Sequence, residues 1–321
     1  MSSAPSFEKF DYVLRPSKQV ERKLIVEAMY RLAGIGFDLS RYVYLGLGSP
    51  YYADFIMFHR YLYIDEMICV EDEDIPRRMK FNRPYPFVQL EMGKLSDYLP
   101  RLKRSRKYLA WLDYDYVLNE DVVQDISLLL SVVPPDSIVA VTVKAHPRGV
   151  SEAEPTSAEG KEKLRQHAEY YQRVLGRYLS ERVTTSQLTK KNLPGLFVEA
   201  MRRQFVEEAG KRKDVDVEFL QMFNYRYADG AQMLTFGGVL ATPDRARAIA
   251  QANVLSADCI CTEGDPIQIS VPPLTRREKL WLDQHLEVTS VDGVAFEIEQ
   301  AKLDSYRRFA RHYPTYHESF L

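Results

Sequence analysis

YVYLGLGSP, residues 42–50, runs an apolar strand into two glycines separated by one residue. Residues 42–47 predict a buried strand, and Gly46-Leu47-Gly48-Ser49-Pro50 predicts the tight turn that leaves it. A dinucleotide fingerprint would place a third glycine where Tyr51 stands, so this turn disfavours a pyrophosphate. Taken alone, two glycines also suit an ordinary strand-to-helix turn.

Working outward, short apolar runs alternate with helical stretches. Strands are predicted over 66–70 (EMICV), 87–91, 108–114 (YLAWLDY) and 137–143 (SIVAVTV), and helices over 54–62, 75–81 and 120–133. Residues 95–103 are helical or irregular. This alternation predicts an α/β fold with a mostly parallel sheet and right-handed crossovers. Upstream, 16–33 has apolar residues at spacings near three and four, Pro16 in its first turn and Gly34 as a stop. Residues from about 146 to 213 are charged and mostly helical, too long for a plain connection, and are expected to form an insertion. Residues 215–227 and 231–242 flank Ala228-Asp229-Gly230 and predict a long antiparallel hairpin, with a helix over 244–255 after Pro243. Beyond Pro272-Pro273, Thr275 and Glu278 form a capping-box pattern ahead of a helix over 276–286, and a second helix closes the tail. The expected division is a main domain over 1–265 and a small helical extension over 266–321.

The 321 residues are 45% hydrophobic and 27% charged, as in ordinary globular proteins, and the formal net charge is −2. That balance gives no global electrostatic case for a nucleic-acid or membrane partner. No apolar run is long enough for an ordinary membrane-spanning helix. MSSAPSFEKFDY has no apolar signal core, so a cytoplasmic location is expected. Three cysteines, Cys69, Cys259 and Cys261, argue against a disulfide framework and for a reducing compartment. Cys259 and Cys261 lack a second pair at zinc spacing, and no metal site is assigned.

Ligands of open α/β sheets bind at the carboxyl ends of the strands, so the residues after each strand are the site candidates. Glu71 lies about 25 residues past Gly46, near the spacing of an acid that accepts ribose hydroxyls. Asp72, Glu73 and Asp74 suit a solvated helix start. Met92-Gly93-Lys94-Leu95 is either an adenine-covering loop or a plain turn. Trp111-Leu112-Asp113-Tyr114-Asp115-Tyr116 puts two acids at an apolar strand end, where an acid can hold an ammonium, orient a substrate or act as a base. His146 is a weaker candidate, since a lone loop histidine is more often solvated.

The ordered set YLGLGS, CVEDE, EMGKLSDYLP, WLDYD and IVAVTV resembles the motifs of class I S-adenosylmethionine-dependent methyltransferases. FDYVLRPSKQVERK and FNRPY at 81–85 resemble a bacterial O-methyltransferase group. The resemblance covers roughly residues 10–245. It implies a Rossmann-like methyltransferase sheet, mostly parallel with a C-terminal antiparallel hairpin, a helical insertion and a small C-terminal helical tail. It implies S-adenosylmethionine as cofactor and a methyl acceptor that the motifs do not identify, with O- or N-directed transfer. By this likeness Gly46, Gly48 and Ser49 line the methionine and ribose side, Glu71 binds the ribose, and Gly93, Lys94 and Leu95 flank the adenine. Asp113 sits at the donor end, and Asp113, Asp115 and His146 are the candidate catalytic residues. The chain departs from the pattern at Tyr51 and at Lys94, which stands where many relatives carry an acid.

Two other functions stay open on sequence. One is a non-catalytic nucleotide- or partner-binding module on the same fold. The other is a nucleic-acid-modifying component, resting on RLKRSRK at 101–107 and on Arg202, Arg203, Lys211, Arg212 and Lys213. Such runs are more often solvated faces. QMFNYRY at 221–227 offers stacking aromatics or alternating core positions, and the aromatic tail 306–320 offers core packing or a homo-oligomer contact. Arg15, Lys18 and Arg22 either fold over the cleft, to hold a cofactor carboxylate or an anionic substrate, or mark a surface helix.

Overall fold

The computed structural model describes residues 15–147, 157–213 and 215–314. FDYVL at 10–14, the first part of the expected insertion at 148–156, and the aromatic tail from Thr315 lie outside the described residues.

Eight strands form one sheet in the order β3-β2-β1-β4-β5-β7-β6-β8. They are β1 Val43–Leu47, β2 Glu66–Glu71, β3 Val88–Met92, β4 Tyr108–Val117, β5 Ile138–Lys144, β6 Glu218–Asp229, β7 Ala231–Ala241 and β8 Ile267–Gln268. β1 to β5 pair in parallel, and β7 enters antiparallel between β5 and β6. The expected hairpin is present, turning through Gly230 at φ +94°. β8 was not foreseen: two residues carry no readable alternation, and it exists by pairing with β6.

The helices are α1 Pro16–Ala33, α2 Ala53–Leu62, α3 Pro76–Asn82, α4 Leu95–Tyr98, α5 Glu120–Val132, α6 Ala158–Leu175, α7 Leu193–Gly210, α8 Pro243–Gln251, α9 Arg276–Gln284 and α10 Gln300–Phe309. Strand alternation sorts the core onto two faces. Val43, Leu45, Ile68, Val70, Ala110 and Leu112 point to the face covered by α4, α5, α6 and α7. Tyr44, Met67, Cys69, Leu109 and Trp111 point to the face covered by α1, α2, α3 and α8. Helices α6 and α7, the described part of the expected insertion, bury Ala168, Leu175, Phe197, Met201 and Phe205 in the same core as the strands. The segment over 95–103, expected to be helical or irregular, is both: α4 ends at Tyr98 and a 3-10 turn follows at Leu99–Arg101, where Pro100 interrupts the pattern. The capping box of Thr275 and Glu278 starts α9, and Leu282 packs with Leu303 and Tyr306 of α10.

α1 is not a surface helix. Lys18, Glu21 and Arg22, spaced three and four apart, lie with Val20, Leu24, Ile25 and Met29 in the buried part of the helix. Its first turn is fastened by the hairpin tip: the backbone N–H groups of Ser17 and Lys18 donate to the two Asp229 carboxylate oxygens at 3.1 and 2.9 Å. A carboxylate there satisfies orphan donors and complements the helix dipole. Its far side holds the tail, with Lys23 Nζ donating to the carbonyls of His312 and Tyr313 and His312 Nε2 pairing with Glu27 at 2.8 Å. Asp229→Ala is expected to lower the unfolding free energy by about 1–2 kcal/mol, the size of a lost charged helix cap. Urea denaturation checks this, and an unchanged midpoint contradicts it.

Candidate functional site

The strand order reverses between β1 and β4, and the carboxyl ends of β1 to β4 open there into a cavity of about 410 Å³. Leu47, Gly48 and Ser49 line it from β1, Val70 to Glu73 from β2, and Gly93 to Ser96 from the loop after β3. Asp113 to Tyr116 line it from β4, and Asp121, Gln124 and Asp125 from α5.

Two glycines are required by this geometry. A Cβ on Gly48 would lie 2.8 Å from both Cβ and Oε2 of Glu71, so only glycine lets the β1 turn lie against that carboxyl group. Gly93 has φ +134°, a conformation side chains resist, and its N–H donates to the Glu71 carbonyl at 2.8 Å. Glu71 itself accepts from the Glu73 N–H at 2.9 Å. Burial pushes the Glu71 carboxyl up to about 7, against the partial relief of that hydrogen bond.

On the β4 side, Tyr114 donates its hydroxyl to Asp125 Oδ2 at 2.8 Å, and burial raises the pKa values of both groups. Asp113 is 18% exposed at its side chain and faces two environments. It lines the cavity, and its Oδ2 sits 2.8 Å from Nζ of Lys18, whose side chain is fully buried. Lys18 is also 2.8 Å from Glu21 and lies 4.3 Å from the Trp111 ring centroid. Glu21 terminates a one-way chain of donors. The Trp111 indole N–H donates to Thr142 Oγ1 at 2.9 Å. Thr142 and Thr235 hydroxyls lie 2.6 Å apart, and Thr235 donates to Glu21. Burial raises the Glu21 pKa and Lys18 opposes that rise.

Of the residues predicted from sequence, Gly48, Ser49, Glu71, Gly93, Lys94, Leu95, Asp113 and Asp115 line this one cavity. Gly46 and His146 are not among its lining residues. Gly46 makes room for a neighbour instead: a Cβ there would lie 2.5 Å from the Tyr44 hydroxyl. The His146 ring lies by the Pro147 carbonyl at 3.1 Å. Asp72 and Glu73, expected to be a solvated helix start, also line the cavity. Asp121, Gln124 and Asp125 were missed, although three- and four-residue spacing on a helix that follows β4 was a usable signal. Lys18 fits neither reading of its segment, an anion-holding residue over the cleft or a surface helix position: its two carboxylate partners are Asp113 and Glu21 of the chain itself.

The wall carries seven carboxyl groups, Glu71, Asp72, Glu73, Asp113, Asp115, Asp121 and Asp125, against one lysine, Lys94. Such a field attracts cations and repels phosphates. Among the described residues no group of three or more His, Cys, Asp or Glu side chains is arranged to hold a metal ion. Cys69, Cys259 and Cys261 are all free and buried, and no described helix is long and apolar enough to cross a membrane.

The parallel strands, the antiparallel β7 and a crevice at the switch point define a Rossmann-like sheet of the methyltransferase type. The chain belongs to the family described as "Putative O-methyltransferase", which it matches over residues 10–321. A comparison with curated proteins found no match. Among solved structures, the chain is similar to the O-methyltransferase TomG from Streptomyces achromogenes in complex with SAM. The identity is 16% and the TM-score 0.33, with 72% of this chain and 91% of that chain covered. It is similar to Trm1 from Pyrococcus horikoshii with S-adenosyl-L-methionine at 11% identity and TM-score 0.42, covering 74% and 59%. Spermidine synthase from Thermotoga maritima matches at 10% identity and TM-score 0.33, covering 68% and 62%. This chain therefore spans less than two thirds of the length of the last two.

The raised Glu71 pKa makes a prediction about stability. An acid whose folded pKa lies above its unfolded value binds more protons when folded, so stability falls as pH rises from about 4.5 to about 7. Glu71→Gln is expected to remove that part of the decline. Chemical denaturation of both proteins across this range checks it, and parallel pH profiles contradict it.

Proposed function

We propose that the chain transfers a methyl group from S-adenosylmethionine to an oxygen acceptor, and that the acidic cavity at the β1–β4 switch point holds the cofactor. The observation that carries this is the composition of that wall. Seven carboxyl groups and one lysine suit a nucleoside bearing a sulfonium and an ammonium, and do not suit a pyrophosphate. The same field argues against a phosphate backbone entering the cleft, which disfavours the nucleic-acid reading.

The residues divide the work. Glu71, as a carboxylate, accepts the two ribose hydroxyls, and Gly48 keeps that edge of the wall open. Gly93, Lys94 and Leu95 flank the base. Asp113, braced by Lys18, receives positive charge at the methionyl end. Asp115, two residues on along β4, also lines the cavity and is the residue we assign to take the proton of an acceptor hydroxyl. Bound S-adenosylmethionine supplies an activated methyl group, and the protein's task is alignment and exclusion of water. The three buried free thiols fit a cytoplasmic setting.

Calorimetry with S-adenosylmethionine and S-adenosylhomocysteine tests the reading. Binding of either is expected, and Glu71→Ala should weaken it by at least about tenfold, the worth of one good hydrogen-bonded contact. Because Glu71 must ionise to accept both hydroxyls, affinity should rise about tenfold from pH 6 to pH 8 around a pKa of about 7, and Glu71→Gln should flatten the profile. Asp115→Asn should lower turnover while leaving S-adenosylhomocysteine affinity near native. Failure of the native protein to bind either compound overturns the proposal.

A further inference from the structure

Lys18 does not reach the cavity, yet it is the ion-pair partner of Asp113 among the described residues. Asp113, Glu21 and the Trp111 and Tyr227 rings surround its ammonium. Asp113 Oδ2 is thus held from the protein side, while Asp113 also lines the cavity. Next to it, Arg22 pairs with Asp54 at 2.5 Å. This buried cluster sets two cations against three carboxyl groups, and Asp113 is the member that lines the cavity. The Asp113 carboxyl group, paired from behind with Lys18, is therefore the member of this cluster that a ligand cation can meet.

We propose that Lys18 is a positioning residue: from behind the site it fixes the Asp113 carboxylate so that its second oxygen receives the ammonium group of an amino-acid-bearing nucleoside. The proposal rests on the cofactor reading above and adds the residue that gives the site its preference for an aminoacyl group. Glu21 holds Lys18 in turn, and the donor chain from Trp111 through Thr142 and Thr235 fixes Glu21. The preference for a ligand amine is thereby built by α1, β4, β5 and β7 together and reaches the amine through Asp113.

The test compares two probes, S-adenosylhomocysteine and 5′-methylthioadenosine, which share the thioadenosine but differ in the amino-acid end. The native protein should prefer S-adenosylhomocysteine. Lys18→Met/Glu21→Gln removes one buried cation and one buried anion together and leaves Asp113 in place. It should bind S-adenosylhomocysteine at least about tenfold more weakly while keeping 5′-methylthioadenosine within about twofold, a split that general loss of structure would not give. Asp113→Asn should show the same split. If the double variant does not fold, the native protein still decides. The 15Nζ resonance of Lys18, assigned by its loss in Lys18→Arg, should shift on adding S-adenosylhomocysteine and stay in place with 5′-methylthioadenosine. A folded double variant with the native preference, or a Lys18 signal indifferent to S-adenosylhomocysteine, overturns the proposal and leaves the cofactor reading standing. Binding of neither probe by the native protein overturns both.

Discussion

A lysine ammonium with no exposure to water sits between two carboxylates where α1 crosses the sheet, and the geometry of the site depends on it. Removing one partner of such a cluster leaves an uncompensated buried charge, at a cost of about 3–5 kcal/mol. That penalty ties the position of α1 to the end of β4, because neither can move without stranding the other's charge. Asp229 at the hairpin tip fixes the start of the same helix, and the C-terminal tail grips its outer side through Lys23 and Glu27. Three distant parts of the chain thus meet on one helix, whose Lys18 pairs with Asp113 behind the cavity.

The alternation of apolar runs and helical stretches from Tyr42 to Val143 was readable because a parallel sheet needs buried strands and amphipathic crossovers, and each leaves its own period. The carboxyl-end rule then located Gly48, Glu71, Gly93 and Asp113. What stayed hidden depends on pairing across the fold. Lys18, Glu21 and Arg22 have the local pattern of a solvated helix face, and their partners Asp113, Thr235 and Asp54 lie far along the chain. Gly46 and Gly48 look alike in sequence, yet the neighbour each meets gives them different tasks: one clears the Tyr44 ring and the other clears Glu71. β8 has no signal of its own, since two residues cannot show a period.

The charge distribution around the cavity also bears on what the fold alone leaves open, because sheets of this type serve many ligands. Burial at the crevice raises the pKa values of Glu71 and Asp125. Such a wall is an unfavourable arrangement for the empty protein. It becomes favourable when a cation enters, because the ligand's charge then offsets repulsion already present in the folded chain. Stability and affinity are in this way opposed at one site, as expected where function sets residue choice.

The β1 turn extends the same logic. A pyrophosphate site needs a glycine at the third fingerprint position, so that backbone N–H groups at the next helix start lie open to phosphate oxygens. Here Tyr51 and Tyr52 occupy that ground. Tyr52 adopts a left-handed conformation at φ 47°, which costs a residue with a side chain about 1–2 kcal/mol. Burial of its ring against Phe55 and donation of its hydroxyl to the Met79 carbonyl at 3.0 Å offset that cost. The start of α2 is therefore sealed by a buried aromatic that also reaches across to α3, the helix that follows Glu71. A turn closed this way has no use for phosphate, and it braces the segment that follows Glu71. Tyrosine at this turn and carboxylates around the wall are thus two expressions of one selectivity, for a nucleoside that carries positive charge and no phosphate.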